Sequence, residues 1–466
     1  MTKLFEPTKL GDISIANRIV MAPLTRNRSP NAVPNDLNVK YYAQRATAGL
    51  IITEATAITH QGQGYANVPG LYSKEALDGW KRVTDAVHAN GGKIVVQMWH
   101  VGRISHTTLQ PNGGKPVSST SKRAETAKTY LVNSDGSGGF ADVSEPRALE
   151  ASEIPGIIED YRKAARAAID AGFDGVEVHA ANGYLIDQFL RSDINDRTDQ
   201  YGGSIENRSR FLFEVLDAVT KEIGVGRTAI RISPVTPSND ASDPAPQPLF
   251  TKVVEGLAKY GLAYIHVVEG QTGGKRDFLP FDYEALHAAY KAAGGKAGWM
   301  VNNAYTREMA IDAVESGKAD VVAFGKPFIS NPDLVRRLKE NAPLAQWDQT
   351  TLYGGGAQGY ADYPLLDEAA WFKLFSQFSF QRRALATILR GLSLSYQTGR
   401  AERACAYRRP AGGRLMLPAG NRSTPDCSAQ PRRSAYEALR RARPPACRFS
   451  SPAAPSRDSS FHAAPA

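Results

Sequence analysis

Short apolar runs rich in β-branched residues recur along the first three quarters of the chain, each bounded by glycine, asparagine or another turn-forming residue. This pattern is typical of strands that are buried on both faces of a parallel sheet. Eight runs are predicted to be strands: Arg18–Thr25, Leu50–Ala55, Lys93–His100, Gly175–Ala180, Thr228–Ser233, Tyr264–Gly270, Gly298–Asn303 and Asp320–Gly325.

The segments between these runs have helical periodicity. Residues 73–92, 151–172 and 306–319 are examples, and each has a glycine near its end that suits a helix C-terminus. Eight strands alternating with helices predict an α/β fold, the (β/α)8 TIM barrel, over residues 1–366. A doubly wound sheet would instead need a G-x-G-x-x-G sequence after its first strand, where this chain has TRNRSPNAVP.

Two segments fall outside the strand and helix repeat. The sequence FEPTKLGDISIANR near the start is predicted to form a hairpin that plugs the bottom of the barrel. The segment from Arg103 to Arg147 is rich in serine, glycine and threonine, and we expect it to be an excursion over the top of the barrel.

Composition changes near residue 366. The formal net charge of +9 arises from the tail, because residues 367–466 contain 17 of the 56 Lys and Arg but only 6 of the 47 Asp and Glu. The barrel segment is therefore slightly acidic, and no nucleic-acid partner is expected for it. The tail is rich in Arg, Pro, Ala and Ser, so we expect it to be disordered. We assign it no function and favour read-through or a shifted reading frame as its origin.

The positions of the cysteines and the hydropathy of the chain exclude further classes of protein. Cys405, Cys427 and Cys447 all lie in the tail, so the first 366 residues can hold no disulfide, cysteine nucleophile or zinc-thiolate site. The chain begins without a signal-peptide pattern and has no apolar run of about 18 residues that would suggest a membrane span. We therefore expect a cytoplasmic protein, of unknown oligomeric state.

Functional groups of a (β/α)8 barrel come from the carboxyl ends of its strands. A flavin needs a polar contact near N5, donors at its pyrimidine edge, a cation near N1 and phosphate-binding amides. Thr25, Gln97 and Arg231 lie at predicted strand ends and can supply the first three. The turns at 302–306 and 324–328 follow the seventh and eighth strands, where barrels usually bind phosphate.

The run VHAANGYLIDQFL places three polar side chains, those of His179, Asn182 and Tyr184, within six residues after a predicted strand. His179 and Asn182 can jointly donate hydrogen bonds to a carbonyl or nitro oxygen. Tyr184 can supply a proton to the carbon next to that group. The three residues would together polarise and protonate an activated C=C bond.

Residues 1 to about 366 resemble the old yellow enzyme family of FMN-dependent ene-reductases, most closely its N-ethylmaleimide reductase and pentaerythritol tetranitrate reductase branch. The resemblance is carried by NRIVMAPLTRNR, QMWHVGRISH, GFDGVEVHAANGYLIDQFLRSDINDRTDQYGGSIENRSRF, FGKPFISNPDL and YGGGAQGYADYP. It implies non-covalently bound FMN, reduced by NADPH or NADH in a ping-pong cycle. The implied substrates are α,β-unsaturated carbonyl compounds, with nitro compounds and nitrate esters as further candidates.

The resemblance also implies roles for individual residues. Tyr184 matches the proton donor, and His179 and Asn182 match the pair that anchors the substrate. The implied substrate pocket is completed by Tyr65, Trp99 and Tyr353. The implied cofactor contacts are Pro23, Leu24, Thr25, Ala57, Gln97, His179 and Arg231, with Asn303, Gly325 and Lys326 at the phosphate. No metal ligand is implied.

Two positions depart from the family pattern, and both would change FMN affinity. Lys326 stands where family members commonly have arginine, and it offers a point charge instead of a bidentate fork. Asn303 stands at a turn position where close relatives have glycine. Asparagine tolerates positive φ better than most residues, so we expect the turn to survive.

Two alternatives from other classes remain open. One is a barrel that binds flavin without turnover. The other is a barrel metallohydrolase that would use His100, His179 and His266, although the first strand has no H-x-H sequence and the eighth does not end in an acidic residue.

Overall fold

The structure is a computed structural model that describes residues 2–133 and 135–367. The predicted tail, residues 367–466, lies outside the described residues except for Asp367. The boundary after Leu366 and the disorder of the tail therefore stay predictions.

Eight parallel strands of the described residues close into a barrel. In chain order the strands are β1 (Thr8–Leu10), β2 (Ile13–Ile15), β3 (Ile19–Met21), β4 (Leu50–Ala57), β5 (Ile94–Trp99), β6 (Val117–Ser118), β7 (Lys128–Val132), β8 (Gly138–Asp142), β9 (Arg147–Ala148), β10 (Gly175–Ala180), β11 (Thr228–Ile232), β12 (Tyr264–Val268), β13 (Gly298–Asn302) and β14 (Val321–Phe324). The barrel runs β3-β4-β5-β10-β11-β12-β13-β14 and closes on β3. Each predicted run overlaps one of these strands, although β4 extends two residues beyond the predicted end at Ala55. The predicted TIM barrel is confirmed.

The first barrel strand is shorter than predicted. It was expected over Arg18–Thr25, but β3 covers only Ile19–Met21. Ala22 still donates its N–H to the Phe324 carbonyl at 3.0 Å, whereas Pro23 has no N–H to continue the ladder. Residues 23–25 therefore lie in the loop above the strand.

Helices surround the barrel between the strands. In chain order they are α1 (Asp36–Ala43), α2 (Lys74–Ala89), α3 (Ile154–Asp170), α4 (Leu185–Leu190), α5 (Ile205–Ile223), α6 (Pro246–Leu257), α7 (Tyr283–Ala292), α8 (Arg307–Glu315), α9 (Lys326–Ser330) and α10 (Leu334–Glu340). The three segments predicted from periodicity contain α2, α3 and α8. Ser73 caps α2 by accepting the Ala76 N–H, and Thr306 caps α8 by accepting the Met309 N–H.

The N-terminal hairpin closes the bottom of the barrel. Its strands β1 and β2 pair antiparallel, with Leu10 opposite Ile13. Leu10, Ile13 and Ile15 are buried in the same apolar cluster as residues of the barrel strands, such as Val20 and Met300. The predicted plug is thus confirmed, and the opposite end of the barrel is left to form a site.

The segment between β5 and β10 leaves the barrel, as predicted for the excursion. Its strands β7 and β8 form an antiparallel hairpin, and β6 pairs with β9. Phe140 of this hairpin meets Tyr353 edge-on, with ring centroids 6.0 Å apart. The hairpin therefore reaches the mouth of the barrel. None of the helices in the described part of the chain has the length and apolar character of a membrane span. The cytoplasmic location stays a prediction.

Candidate active site

Strand register gathers five polar side chains inside the upper barrel. On β10, Glu177 and His179 are two residues apart, so both point to the same face. In the parallel ladders, Gln97 of β5 lies opposite Glu177, and Arg231 of β11 lies opposite His179. His266 of β12 lies opposite Arg231. All five side chains are buried, so their charges and hydrogen bonds must be satisfied within the protein or by a ligand.

Glu177 is the carboxylate of this group. Its Oε1 accepts from Gln97 Nε2 at 2.7 Å, and its Oε2 lies 2.9 Å from His266 Nδ1. Burial opposes ionisation of Glu177, but the hydrogen bond from His266, the charge of Arg231 and the hydrogen bond from Gln97 hold its pKa below the ordinary value. Burial lowers the pKa of His266, which favours the neutral imidazole donating from Nδ1. An ionised Glu177 therefore lies beneath the Gln97 amide and holds it in one orientation.

Arg231 presents donors that the protein does not use. Its Nη2 donates to Asn302 Oδ1 at 3.1 Å, but Nε and Nη1 are buried and have no hydrogen-bond partner among the described residues. Unpaired buried donors of a cation are costly, so they indicate a ligand that carries acceptor atoms. The cavity beside Arg231 is also lined by Pro23, Leu24, Asn303 and Lys326. This donor set fits FMN, whose N1 and O2 edge gains negative charge on reduction.

The far side of this cavity contains the two residues that depart from the family pattern. Asn303 has φ 107°, as expected for a position that favours glycine, and Ala304 follows at φ 51°. Asn303 Nδ2 donates to the carbonyls of Glu269 at 2.7 Å and Gln271 at 2.9 Å. Lys326 Nζ donates to the Gly273 carbonyl at 2.8 Å. Both side chains are thus bound to loop 269–276, the segment that follows β12.

His179 and Asn182 both present N–H groups at the mouth. His179 Nδ1 accepts the Ala181 N–H at 3.3 Å, so the neutral ring carries its proton on Nε2. Burial, together with Arg231 and His266, lowers the pKa of His179 well below its ordinary value. Asn182 Oδ1 accepts from Thr272 Oγ1 at 2.7 Å, whereas its Nδ2 is buried without a partner. The pair can therefore donate two hydrogen bonds to one acceptor.

Tyr184 lies immediately before α4, beside this pair. Its ring meets the Trp99 ring edge-on at 4.8 Å between centroids and the His179 ring at 5.1 Å. Burial raises the pKa of Tyr184 to about 12. The hydroxyl oxygens of Tyr184 and Tyr65 are 3.2 Å apart. Tyr184 therefore keeps its proton at neutral pH, and the Tyr65 hydroxyl lies close enough to donate to the Tyr184 oxygen.

The structure brings the sequence-predicted residues to the two ends of one barrel mouth. One small cavity is lined by Thr25, Asn27, Tyr65, Trp99, Tyr130, Phe140, Tyr184 and Tyr353. The second cavity is lined by Pro23, Leu24, Arg231, Asn303, Gly325 and Lys326, among others. Four further predicted residues are buried in the strands or turns around these cavities: Ala57, Gln97, His179 and Asn182.

Sequence reasoning missed several residues of the site, among them Glu177, Thr272, Tyr130 and Phe140. Glu177 could have been found, because an acidic residue inside a run predicted to be fully buried needs a partner. Thr272 lies in a loop, and Tyr130 and Phe140 lie in the excursion hairpin, so no periodic pattern marks them. Their importance depends on where loops fold, which the sequence pattern does not encode.

The three histidines considered for a metal site, His100, His179 and His266, form no metal-binding group among the described residues. His100 Nδ1 accepts the Gly102 N–H at 3.1 Å, while His266 faces Glu177. Within residues 2–133 and 135–367, no group of three or more His, Cys, Asp or Glu side chains is arranged to hold a metal ion. The geometry does not favour the metallohydrolase alternative.

The fold is a closed parallel barrel. Unpaired guanidinium donors lie beside a cavity, and two neutral donors and a protonated phenol lie at the barrel mouth. This combination is typical of flavin-dependent barrel oxidoreductases. Comparison with known proteins agrees. Residues 3–345 match the NADH:flavin oxidoreductase / NADH oxidase family, and the chain belongs to this family.

Individual members of this family are similar to the chain over most of their length. The 12-oxophytodienoate reductase 7 of Oryza sativa subsp. japonica is 46% identical over 378 residues, which cover 78% of this chain and 95% of the relative. Putative 12-oxophytodienoate reductase 11 of the same organism is 45% identical over 371 residues, covering 78% of this chain and 97% of the relative.

Solved structures agree with the sequence relatives. Morphinone reductase has a TM-score of 0.76 at 46% sequence identity. The match covers 79% of this chain and 97% of the morphinone reductase chain. The old yellow enzyme homologue from Zymomonas mobilis has a TM-score of 0.73 at 41% identity, covering 78% and 99%. Morphinone reductase has also been solved in complex with tetrahydroNAD. The chain is thus an oxidoreductase of the old yellow enzyme family, with FMN as cofactor and NAD(P)H as reductant.

Proposed function

We propose that the chain is an ene-reductase that reduces the activated C=C bond of α,β-unsaturated carbonyl compounds. The observation that carries this proposal is the arrangement of two neutral N–H donors, from His179 and Asn182, beside the protonated hydroxyl of Tyr184. The relatives support it, because the names oxophytodienoate reductase and morphinone reductase both denote carbonyl compounds. Nitro compounds and nitrate esters offer similar acceptor oxygens and are further candidate substrates.

The cofactor site proposed for this reaction lies across the barrel mouth. Bound FMN would supply hydride to the substrate after taking it from NAD(P)H in the first half of a ping-pong cycle. Arg231 Nε and Nη1 would donate to its pyrimidine edge, and Gln97, held by Glu177, would contact the same edge. The remaining proposed contacts are Pro23, Leu24, Thr25, Ala57 and His179 at the ring, and Asn303, Gly325 and Lys326 at the phosphate.

His179 and Asn182 would anchor the substrate by its carbonyl oxygen. Negative charge grows on this oxygen when hydride adds to the β-carbon, so donors that already point at it stabilise the transition state. Their other polar atoms are engaged by Ala181 N–H and Thr272 Oγ1, which limits reorientation during the reaction. Trp99, Tyr65 and Tyr353 would enclose the substrate and exclude water.

Tyr184 would complete the reaction by giving its hydroxyl proton to the α-carbon. Its raised pKa keeps the proton in place until that carbon becomes basic. Tyr65, at 3.2 Å, would then donate to the phenolate oxygen and stabilise it. Solvent returns the proton to Tyr184 after the product leaves.

Half-reaction kinetics on the purified full-length chain test this proposal. NADPH added without oxygen should bleach the flavin absorbance, and 2-cyclohexenone added afterwards should restore it. Bleaching without restoration by any enone would support the alternative of a flavin-binding barrel without turnover. We also propose that residues 1–366 form the catalytic domain, so a chain that ends at Leu366 should have the same kcat/KM as the full chain.

A further inference from the structure

We propose that Thr272 is a positioning residue that orients the Asn182 amide toward the carbonyl oxygen of the substrate. The inference rests on the proposed function, since it concerns how that oxygen is anchored. Thr272 lies in loop 269–276, between Gln271 and Gly273, and no motif of the sequence marks it. Its hydroxyl is the only described partner of the Asn182 side chain.

The backbone of Asn182 is held in place. Its N–H donates to Ser233 Oγ at 2.7 Å, its carbonyl accepts from Asn239 Nδ2 at 2.8 Å, and its φ is 57°. Rotation of the side-chain amide is the freedom that remains, because the amide oxygen and nitrogen have nearly the same size and can exchange places. Whatever bonds one end of the amide therefore decides which end faces the substrate.

The hydroxyl protons near Asn182 favour one orientation of its side-chain amide. Thr236 Oγ1 donates to the Gly270 carbonyl at 2.8 Å, and this carbonyl can only accept, so the one proton of Thr236 is used. Thr236 Oγ1 already accepts the Thr272 N–H at 3.3 Å. The Thr272 hydroxyl lies 3.2 Å from Thr236 Oγ1 but 2.7 Å from Asn182 Oδ1. Its proton is therefore directed to Asn182 Oδ1.

This arrangement leaves Asn182 Nδ2 to the ligand. Nδ2 is buried and unpartnered, and a buried donor without an acceptor is destabilising until a ligand supplies one. His179 Nε2–H is the second donor of the pair. The reversed amide would put an oxygen beside the substrate carbonyl, and two acceptors at hydrogen-bond distance repel each other. Thr272 thus makes the pocket select for acceptor oxygens.

Loop 269–276 is anchored on both sides of Thr272. Asn303 Nδ2 binds the carbonyls of Glu269 and Gln271 before it, and Lys326 Nζ binds the Gly273 carbonyl after it. These bonds connect the loop to the ends of β13 and β14. A threonine on a tethered loop can hold its hydroxyl at a fixed place, as a positioning residue requires.

Thr272→Val tests the proposal on the FMN-loaded full chain, because it keeps the side-chain shape and removes the donor. Cyclohexanone is a suitable probe, since it carries the carbonyl oxygen but no C=C bond to reduce. We expect its dissociation constant, measured by perturbation of the flavin absorbance, to rise by about tenfold. Thr272→Ser should restore tight binding. The melting temperature should not change in either variant, and cyclohexanone binding is compared at equal FMN occupancy because Thr272 also lines the cavity beside Arg231.

A double-mutant cycle separates positioning from a general structural effect. In an Asn182→Ala background, Thr272→Val should cause no further loss of cyclohexanone affinity, because its effect acts through the Asn182 amide. Additive losses, or wild-type affinity in Thr272→Val alone, would overturn the inference. A wild-type chain that binds cyclohexanone but reduces no enone would instead refute the proposed function and leave this inference standing. No binding by wild type would refute both.

Discussion

The two sides of the barrel mouth use their polar groups in opposite ways. On the anchor side, defined by His179, Asn182 and Tyr184, the Asn182 Nδ2 that would meet substrate has no partner among the described residues, and neighbouring atoms are bonded to the protein. On the proposed phosphate side, defined by Asn303, Gly325 and Lys326, the side-chain amide of Asn303 and the ammonium of Lys326 already bind carbonyls of loop 269–276. One side has an unused donor before a ligand arrives, while the other already uses donors on the protein.

This difference has an energetic meaning. A preorganised donor stabilises a ligand without first losing a protein contact. Lys326 must leave the Gly273 carbonyl, or share its protons with a phosphate, before it contributes to FMN binding. We therefore expect substitutions on the anchor side to affect chemistry strongly and those on the phosphate side to affect cofactor retention moderately.

The largest effect is expected for Tyr184→Phe. Loss of the proton donor should slow alkene reduction by about 10²-fold or more, the range typical of general acid catalysis. Flavin reduction by NADPH needs no proton from this residue and should be nearly unchanged. Stopped-flow absorbance measures the two half-reactions separately, and an equal loss in both would contradict the assignment of Tyr184.

The second-largest effect is expected when both anchoring side chains are removed. His179→Ala with Asn182→Ala deletes two hydrogen bonds to the carbonyl oxygen, so the dissociation constant of cyclohexanone should rise by roughly 10²-fold. Tyr184→Phe serves as the matched control, because it removes a neighbouring polar group that does not contact the carbonyl oxygen. Unchanged affinity in the double variant would refute the anchor role.

A smaller effect is expected on the phosphate side. Lys326→Arg introduces a guanidinium that can bind a phosphate through two hydrogen bonds, and we expect FMN to bind about tenfold more tightly. Titration of the FMN-free protein with FMN, followed by quenching of flavin fluorescence, measures this change. Lys326→Met, which removes the charge, should weaken binding. If neither variant alters FMN affinity, Lys326 does not contact the phosphate.

The smallest effect concerns pH. Because burial lowers the pKa of His179 well below its ordinary value, the ring should stay neutral from pH 8 down to pH 6. Protonation of His179 would add a hydrogen to Nδ1, which now accepts the Ala181 N–H, so this hydrogen bond would be lost. The affinity for cyclohexanone should therefore be constant over this range and fall only at lower pH. A break near pH 6.5 would mean that His179 titrates normally.

The barrel and part of its mouth follow from local sequence patterns. Eight buried runs predict eight strands because β-branched residues suit a sheet covered on both faces. His179, Asn182 and Tyr184 are recognisable because they leave such a run together. Thr272 is not, because it meets Asn182 across 90 residues of chain. Gln97 and His266 similarly meet Glu177 across 80 and 89 residues, and only strand register brings them together.

Loop 269–276 makes the two sides of the mouth dependent on each other. Asn303 and Lys326 fasten the segment that carries Thr272, and Thr272 sets the Asn182 amide. An amino-acid change selected for better cofactor retention would thereby also alter which molecules the enzyme accepts. Divergence within such a protein would tend to move both traits together, so variants screened for one should also be assayed for the other.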